Sequence, residues 1–339
     1  MHLLKKSNIF TVSIITLLSP SICQAQFNTP SLTIRTASGS AVATIYANGR
    51  MQAKLNVSYS NIPDGYTVDN VVIKEAYINN NLPSYWVVSS IDNGYDHNMS
   101  NSYQTLRTRQ QNLTTIPLYL STLNSDADIT LCAELEVSNT YGNNETLSTC
   151  EGDTNNGLVS VIVLQEINYG IEDLDHSRNR EWYGNTGASY AISNDRFTLR
   201  NNREIRDVGG CNTSLVNNGK RYLVSSTNGP EHPYSNARKF SAAYLFYPNQ
   251  GVVSSNFSYS NGSYWRDTVS LNFNTTNSIV FAWLNGQDNQ NTYVNPLISW
   301  TIHCSTIAFR DNYGNDGILN LSRHSNPDDE WGNVYYSFH

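Results

Sequence analysis

Charge is scarce in this chain: Asp, Glu, Lys and Arg make up 14% of 339 residues, against roughly 25% in an ordinary soluble domain. A charged disordered tail is therefore not expected. The strong helix formers Ala, Leu, Glu and Lys are sparse, which argues against long helices. Beyond the first twenty residues no apolar run approaches the roughly 20 residues of a membrane-crossing helix. No basic cluster is present, and 28 acidic side chains outnumber 21 Lys and Arg. Such a chain repels polyphosphate, so nucleic acid is not expected as a partner, and anionic membranes are a poor electrostatic target. The signatures G-x-S-x-G, H-E-x-x-H, Walker A and the dinucleotide fingerprint are missing, so no cofactor and no catalytic residue is assigned.

What the chain does have is Asn, at about 13% of residues, together with 22 Tyr and 20 Gly. Residues of this kind, with Ser and Thr, suit turns and half-buried strands. The expectation is an all-β protein of two β-sandwich-like domains behind a cleaved signal peptide.

Lys5 and Lys6 precede the apolar stretch Ile9 to Leu18, and Ser21-Ile22-Cys23-Gln24-Ala25 supplies small residues before Gln26. This is the layout of a secretory signal peptide over residues 1–25. Pro20, Ser21 and Ile22 do not fit the leucine-led sequence that precedes a lipid-modified cysteine. The expected location is secreted or cell-surface, and removal of the segment takes the formal charge from −7 to about −9.

Four cysteines then remain: Cys132, Cys150, Cys211 and Cys304. An even count in an exported chain predicts disulfides, and four cysteines allow three connectivities. Ala127 to Val137 alternates as a strand, and Glu145 to Cys150 reads as its return. The turn-rich Ser138-Asn139-Thr140-Tyr141-Gly142-Asn143-Asn144 lies between them, which sets Cys132 opposite Cys150. Cys211 is left with Cys304. Neither pair has the short spacing or nearby His of a zinc site. Each pair sits in its own half, so the chain divides into residues 26–166 and 167–339, with the boundary near residue 166 after the apolar strand Leu158 to Leu164.

In the first half, Ala41 to Tyr46 reads as a strand that meets an Asn48-Gly49 turn. Strict alternation follows at Met51, Ala53, Leu55 and Val57. This stretch resembles the opening of Ig-like modules in bacterial surface adhesins of the invasin type. The resemblance covers about twenty residues and implies a sandwich used as a stalk or binding module; it assigns no functional residue.

In the second half, Arg180-Glu181-Trp182-Tyr183-Gly184-Asn185-Thr186-Gly187 recurs as Arg310-Asp311-Asn312-Tyr313-Gly314-Asn315-Asp316-Gly317, with an echo at Trp331-Gly332-Asn333. One reading is a hairpin turn whose Gly supplies positive φ. Another is a sugar site, in which Trp182, Tyr183, Asn185, Tyr313, Asn315 and Trp331 stack on rings and bond hydroxyls. A third makes Asp311, Asn315 and Asp316 calcium ligands, although their spacing is not that of an EF-hand. Tyr264 and Trp265 flank the Asn261-Gly262-Ser263 turn and complete the candidate binding residues. The acidic run Glu172-Asp173-Leu174-Asp175-His176 reads as a solvated loop.

Function then divides three ways. The first reading is a secreted or surface-displayed recognition protein, adhesin-like, whose C-terminal loops bind a cell-surface protein or glycan. The second is a β-rich pore-forming toxin, for which the membrane would be the partner. Its support is the alternation between Val252 and Phe281; its weakness is the polar Thr275 that breaks the pattern. A polysaccharide-acting enzyme comes third.

Overall fold

A computed structural model of the chain describes residues 29–78, 80–99, 113–151, 157–185, 188–209, 216–217, 220–228, 238–260, 266–288, 305–325 and 334–339. These residues form an all-β protein built from several sheets. The signal-peptide region and Cys211, Cys304, Tyr264, Trp265 and Trp331 lie outside the described residues.

Residues 31–164 form two facing sheets. One holds β1 (Ser31–Thr36), β3 (Ala53–Ser60), β7 (Thr114–Thr122) and β6 (Trp86–Ser89), in the order β1-β3-β7-β6. The other runs through β2 (Val42–Tyr46), β10 (Val159–Leu164), β8 (Ile129–Asn139), β4 (Tyr66–Glu75) and β5 (Asn80–Asn81), with β9 (Asn144–Ser148) paired to β8. All ladders are antiparallel except that of β2 with β10. The alternation read from sequence is the cause of this packing: Met51, Ala53, Leu55 and Val57 are fully buried. They meet Ile45, Leu131, Ala133, Val159 and Val161 from the opposite sheet in one core.

The Asn48-Gly49 turn is not the hairpin tip that the sequence suggests. β2 and β3 belong to different sheets, so residues 47–52 carry the chain across the sandwich. The Asn48 side chain accounts for the change. Its Oδ1 accepts from the backbone N–H groups of Arg50 and Met51, at 2.9 and 2.8 Å, and so supplies the turn's internal bonds.

Cys132 on β8 is bonded to Cys150, just beyond β9, as the hairpin register predicts. A loop of this size confers about 3 kcal/mol on the chain-entropy account. The double variant Cys132→Ser, Cys150→Ser is expected to lose about that much stability, read from urea denaturation.

Residues 174–338 form three further sheets. The largest runs in the order β11-β12-β19-β16-β15-β14, from β11 (Leu174–Asn185), β12 (Ala188–Leu199), β14 (Val216–Asn217), β15 (Lys220–Asn228), β16 (Arg238–Phe246) and β19 (Ile279–Asp288). A second joins β13 (Ile205–Gly209), β20 (Thr306–Asp311), β21 (Asp316–Ser325) and β22 (Val334–Phe338). The third is a hairpin of β17 (Val252–Ser260) and β18 (Arg266–Asn274). The large sheet is covered on both sides. Ile279, Phe281 and Trp283 pack with Phe309, Leu319 and Leu321, whereas Val280 and Ala282 pack with Phe246 and Phe273. This double burial explains the unbroken apolar run of β19.

No strand ladder among the described residues joins 31–164 to 174–338. The expected boundary near 166 falls in the connection between β10 and a short 3-10 turn, Ile171–Asp173. Ile167 in that connection packs against both cores.

Gly317, on β21, lies over the face of the buried Phe309 ring, where an added Cβ would collide with ring carbons. Gly317→Ala is therefore expected to cost about 1–3 kcal/mol through overpacking, seen as a lower urea midpoint.

Candidate functional site

The recurrent Tyr-Gly-Asn segments take different structures. Trp182, Tyr183 and Asn185 lie within β11, where Gly184 pairs with Ser189 and Asn185 with Ala188. The second copy is itself a turn between β20 and β21, with Gly314 at φ +83°. That second turn is buried. Asp311 and Asn315 have no solvent exposure, and Tyr313 has 9%.

Its partner is the Asn48 turn of the N-terminal sandwich. Asn48 Nδ2 donates to the Tyr313 carbonyl (3.0 Å) and to Asn315 Oδ1 (3.1 Å). Arg50 donates to the Gly314 carbonyl and to Asp316. Behind them Asp311 accepts from Tyr169 Oη (2.8 Å), Asn315 Nδ2 (3.0 Å) and the backbone N–H groups of Tyr313 and Asn315. Arg203 donates to Tyr169 and Tyr46, and its guanidinium lies over the rings of Tyr46 and Tyr313. Residues 92–97 form a second arm: Asp96 N–H donates to the Asn312 carbonyl, and Tyr95 Oη donates to Asp207.

These contacts bear on two of the three readings of the turn. Tyr313 and Asn315 face protein rather than solvent, so they offer a sugar no surface. The Asp311 oxygens are taken by protein donors and Asp316 is paired with Arg50 and Arg310, so neither is left for calcium. Among the described residues no group of three or more His, Cys, Asp and Glu is placed to hold a metal.

The candidate site lies where the start of β11, the end of β12 and the end of β22 meet. Ile171, Leu174, Asp175, His176, Arg178, Arg200, Ser337 and Phe338 line an open cleft of about 640 Å³. Its wall is held from behind by Asp195, which is fully buried on β12. Asp195 Oδ1 accepts from His176 Nε2 and Arg178 Nε, both at 2.6 Å, and Oδ2 accepts from Trp283 Nε1 at 2.8 Å. Since a carboxylate only accepts, the bonded Nε2 of His176 carries hydrogen. The imidazole also stacks on Phe197, with centroids 4.5 Å apart. One buried charge thus fixes the orientation of two cleft residues, and stacked rings hold the histidine in plane.

No protein-family model and no curated protein matches the chain. The cleft must therefore be judged on its own chemistry.

The sequence reading missed this site although it noticed some of its members. Residues 172–176 are exposed at Glu172, Asp175 and His176 as expected but are not a loop: a 3-10 turn runs into β11, Leu174 is buried and His176 pairs with Phe197. The available signal was the run of titratable residues before an alternating strand. Asp195, Arg200 and Phe338 come from elsewhere in the chain and share no motif with it. Arg200 stands at the rim with 60% of its side chain exposed, bonded to Asp175 at 3.2 Å.

Proposed function

We propose that this is an exported recognition protein that binds an acidic sugar unit of a cell-surface glycan in the His176–Arg200 cleft. The observation that carries the reading is the buried Asp195, which presets His176 and Arg178 before any ligand arrives; preorganisation of this kind lowers the ordering cost of binding. Arg200 bonds Asp175 through Nε, and its 60% exposed side chain leaves the rest of the guanidinium open to a carboxylate. Phe338 and His176 supply flat faces for a sugar ring.

The N-terminal sandwich fits the presenting role. Its orders β1-β3-β7-β6 and β2-β10-β8-β4 match the strand arrangement of an immunoglobulin-type sandwich, with the first strand divided between the two sheets. This correspondence supports kinship with bacterial Ig-like modules. Export through residues 1–25 and surface or extracellular residence belong to the same proposal.

The test is a glycan array probed with the chain starting at Gln26. Binding to glycans that carry a carboxylate is expected, with neutral counterparts silent. Arg200→Ala and His176→Ala should each weaken that binding at least about tenfold, the effect of one lost charged contact worth ~1.4 kcal/mol. Binding that survives both substitutions would sink the assignment of the cleft.

A further inference from the structure

The β17–β18 hairpin is attached to the protein in an unusual way. Its strands pair over nine residues each, from Val252 opposite Asn274 to Ser260 opposite Arg266. Neither strand pairs with any other described strand. Among the described residues the hairpin is therefore held by side chains and by its root.

Those side chains make a modest seat. Val253, Leu271 and Phe273 pack on Ile192, Phe246, Val280 and Ala282. Beside them a cavity of about 50 Å³ is lined partly by Asn179, Glu181 and Asn194, and the buried Asn194 Oδ1 has no hydrogen-bond partner. A polar, imperfectly filled contact of this kind is weaker than a closed apolar core. The root, by contrast, is tightly bonded. Thr275 is fully buried, its Oγ1 donates to the Gly251 carbonyl, and it accepts from Gln250 N–H. Asn249 bonds Asn277 and the Ile205 carbonyl.

The hairpin's sequence has the two-faced pattern of a bilayer-crossing strand pair. In register, one set of positions reads Val253, Ser255, Phe257, Tyr259 against Phe273, Leu271, Val269, Asp267. The other reads Val252, Ser254, Asn256, Ser258, Ser260 against Asn274, Asn272, Ser270, Thr268, Arg266. Six of the first eight positions are apolar, and nine of the second ten are polar. Nine residues reach the lower bound of the roughly 9–11 that a tilted strand needs to cross hydrocarbon. The two charged residues, Arg266 and Asp267, sit together at the end of the ladder away from the root, where a membrane-crossing pair meets water. Thr275, which interrupts the alternation in the linear sequence, lies outside the strands and is the anchor.

We propose that β17–β18 is a stowed membrane-insertion element. It swings out on the Asn249–Thr275 root and, joined edge to edge with the same hairpin of further copies, crosses a bilayer as part of a β-barrel. Several copies are required because a lone hairpin would leave both edges unpaired in lipid. The inference is independent of glycan binding, since it uses none of the cleft residues.

The experiment places one fluorescent amino acid at a time at positions 252 to 259 of the secreted chain and adds phosphatidylcholine vesicles with nitroxide-labelled acyl chains. These neutral vesicles avoid repelling a net-negative protein. Loss of fluorescence is expected at 253, 257 and 259 and not at 252, 254, 256 or 258, together with dye release by the unsubstituted chain. Quenching at no position, quenching without the two-residue period, or quenching without dye release overturns the proposal. Repeating the series with Arg200→Ala, which removes only the cleft contact, separates the two: the period should persist whether or not glycan binding is lost.

Discussion

Asp311→Ala is expected to destabilise the protein by about 3–5 kcal/mol, the cost typical of removing one member of a buried charged network. Its carboxylate has no solvent exposure and accepts from Tyr169, Asn315 and two backbone N–H groups, with Arg203 at 3.4 Å. Truncation leaves those donors buried without an acceptor, each costing roughly 1–3 kcal/mol if no water enters. The loss should concentrate at the seam. Faster hydrogen exchange is expected at residues 312–316, with new protease cleavage in the connection 165–170. Asp311→Asn keeps the oxygen that closes the turn and should lose less.

The same network sets an alkaline limit. Burial, and the adjacent Asp311 carboxylate, raise the Tyr169 phenol above its ordinary range. Its contribution is therefore fully present below about pH 10, the unfolded value, and is lost as pH rises towards the folded one. Tyr169→Phe should flatten that alkaline fall in the urea midpoint.

Asp195→Ala is expected to have an effect of similar size, about 3–5 kcal/mol, but in a separate hydrogen-bond network. It would take the carboxylate from the Arg178 guanidinium, unpin His176 and remove the acceptor of the Trp283 indole N–H. Hydrogen exchange should rise along β11 and β12 while the seam at 312–316 keeps its protection. Additivity in the double variant with Asp311→Ala is the check that the two networks are separate.

The legibility of these features differs for physical reasons. Strand alternation at Met51, Ala53, Leu55 and Val57 is written locally, because a period of two is a property of the strand itself. The Cys132–Cys150 pairing is nearly as local, since one hairpin sets it. The Asn48 turn was misread because its sequence permits a hairpin, and the choice is made by Asn48 bonding its own backbone while gripping Tyr313. Asn315 illustrates the commonest failure: an Asn- and Gly-rich turn reads as exposed, and only a second turn docking from 267 residues away buries it. The cleft was hidden for the same reason, because Asp195 and Trp283 are 88 residues apart and meet only across β12 and β19.

The parallel pairing of β2 with β10 has a mechanical consequence. Val42 lies beside Ser160 and Tyr46 beside Leu164, so tension drawn between the chain ahead of β2 and the chain after β10 slides the strands along one another. Their cross-links are then strained together rather than opened one by one. A body tethered at one end and tugged at the other would resist the load until the whole seam gave way at once.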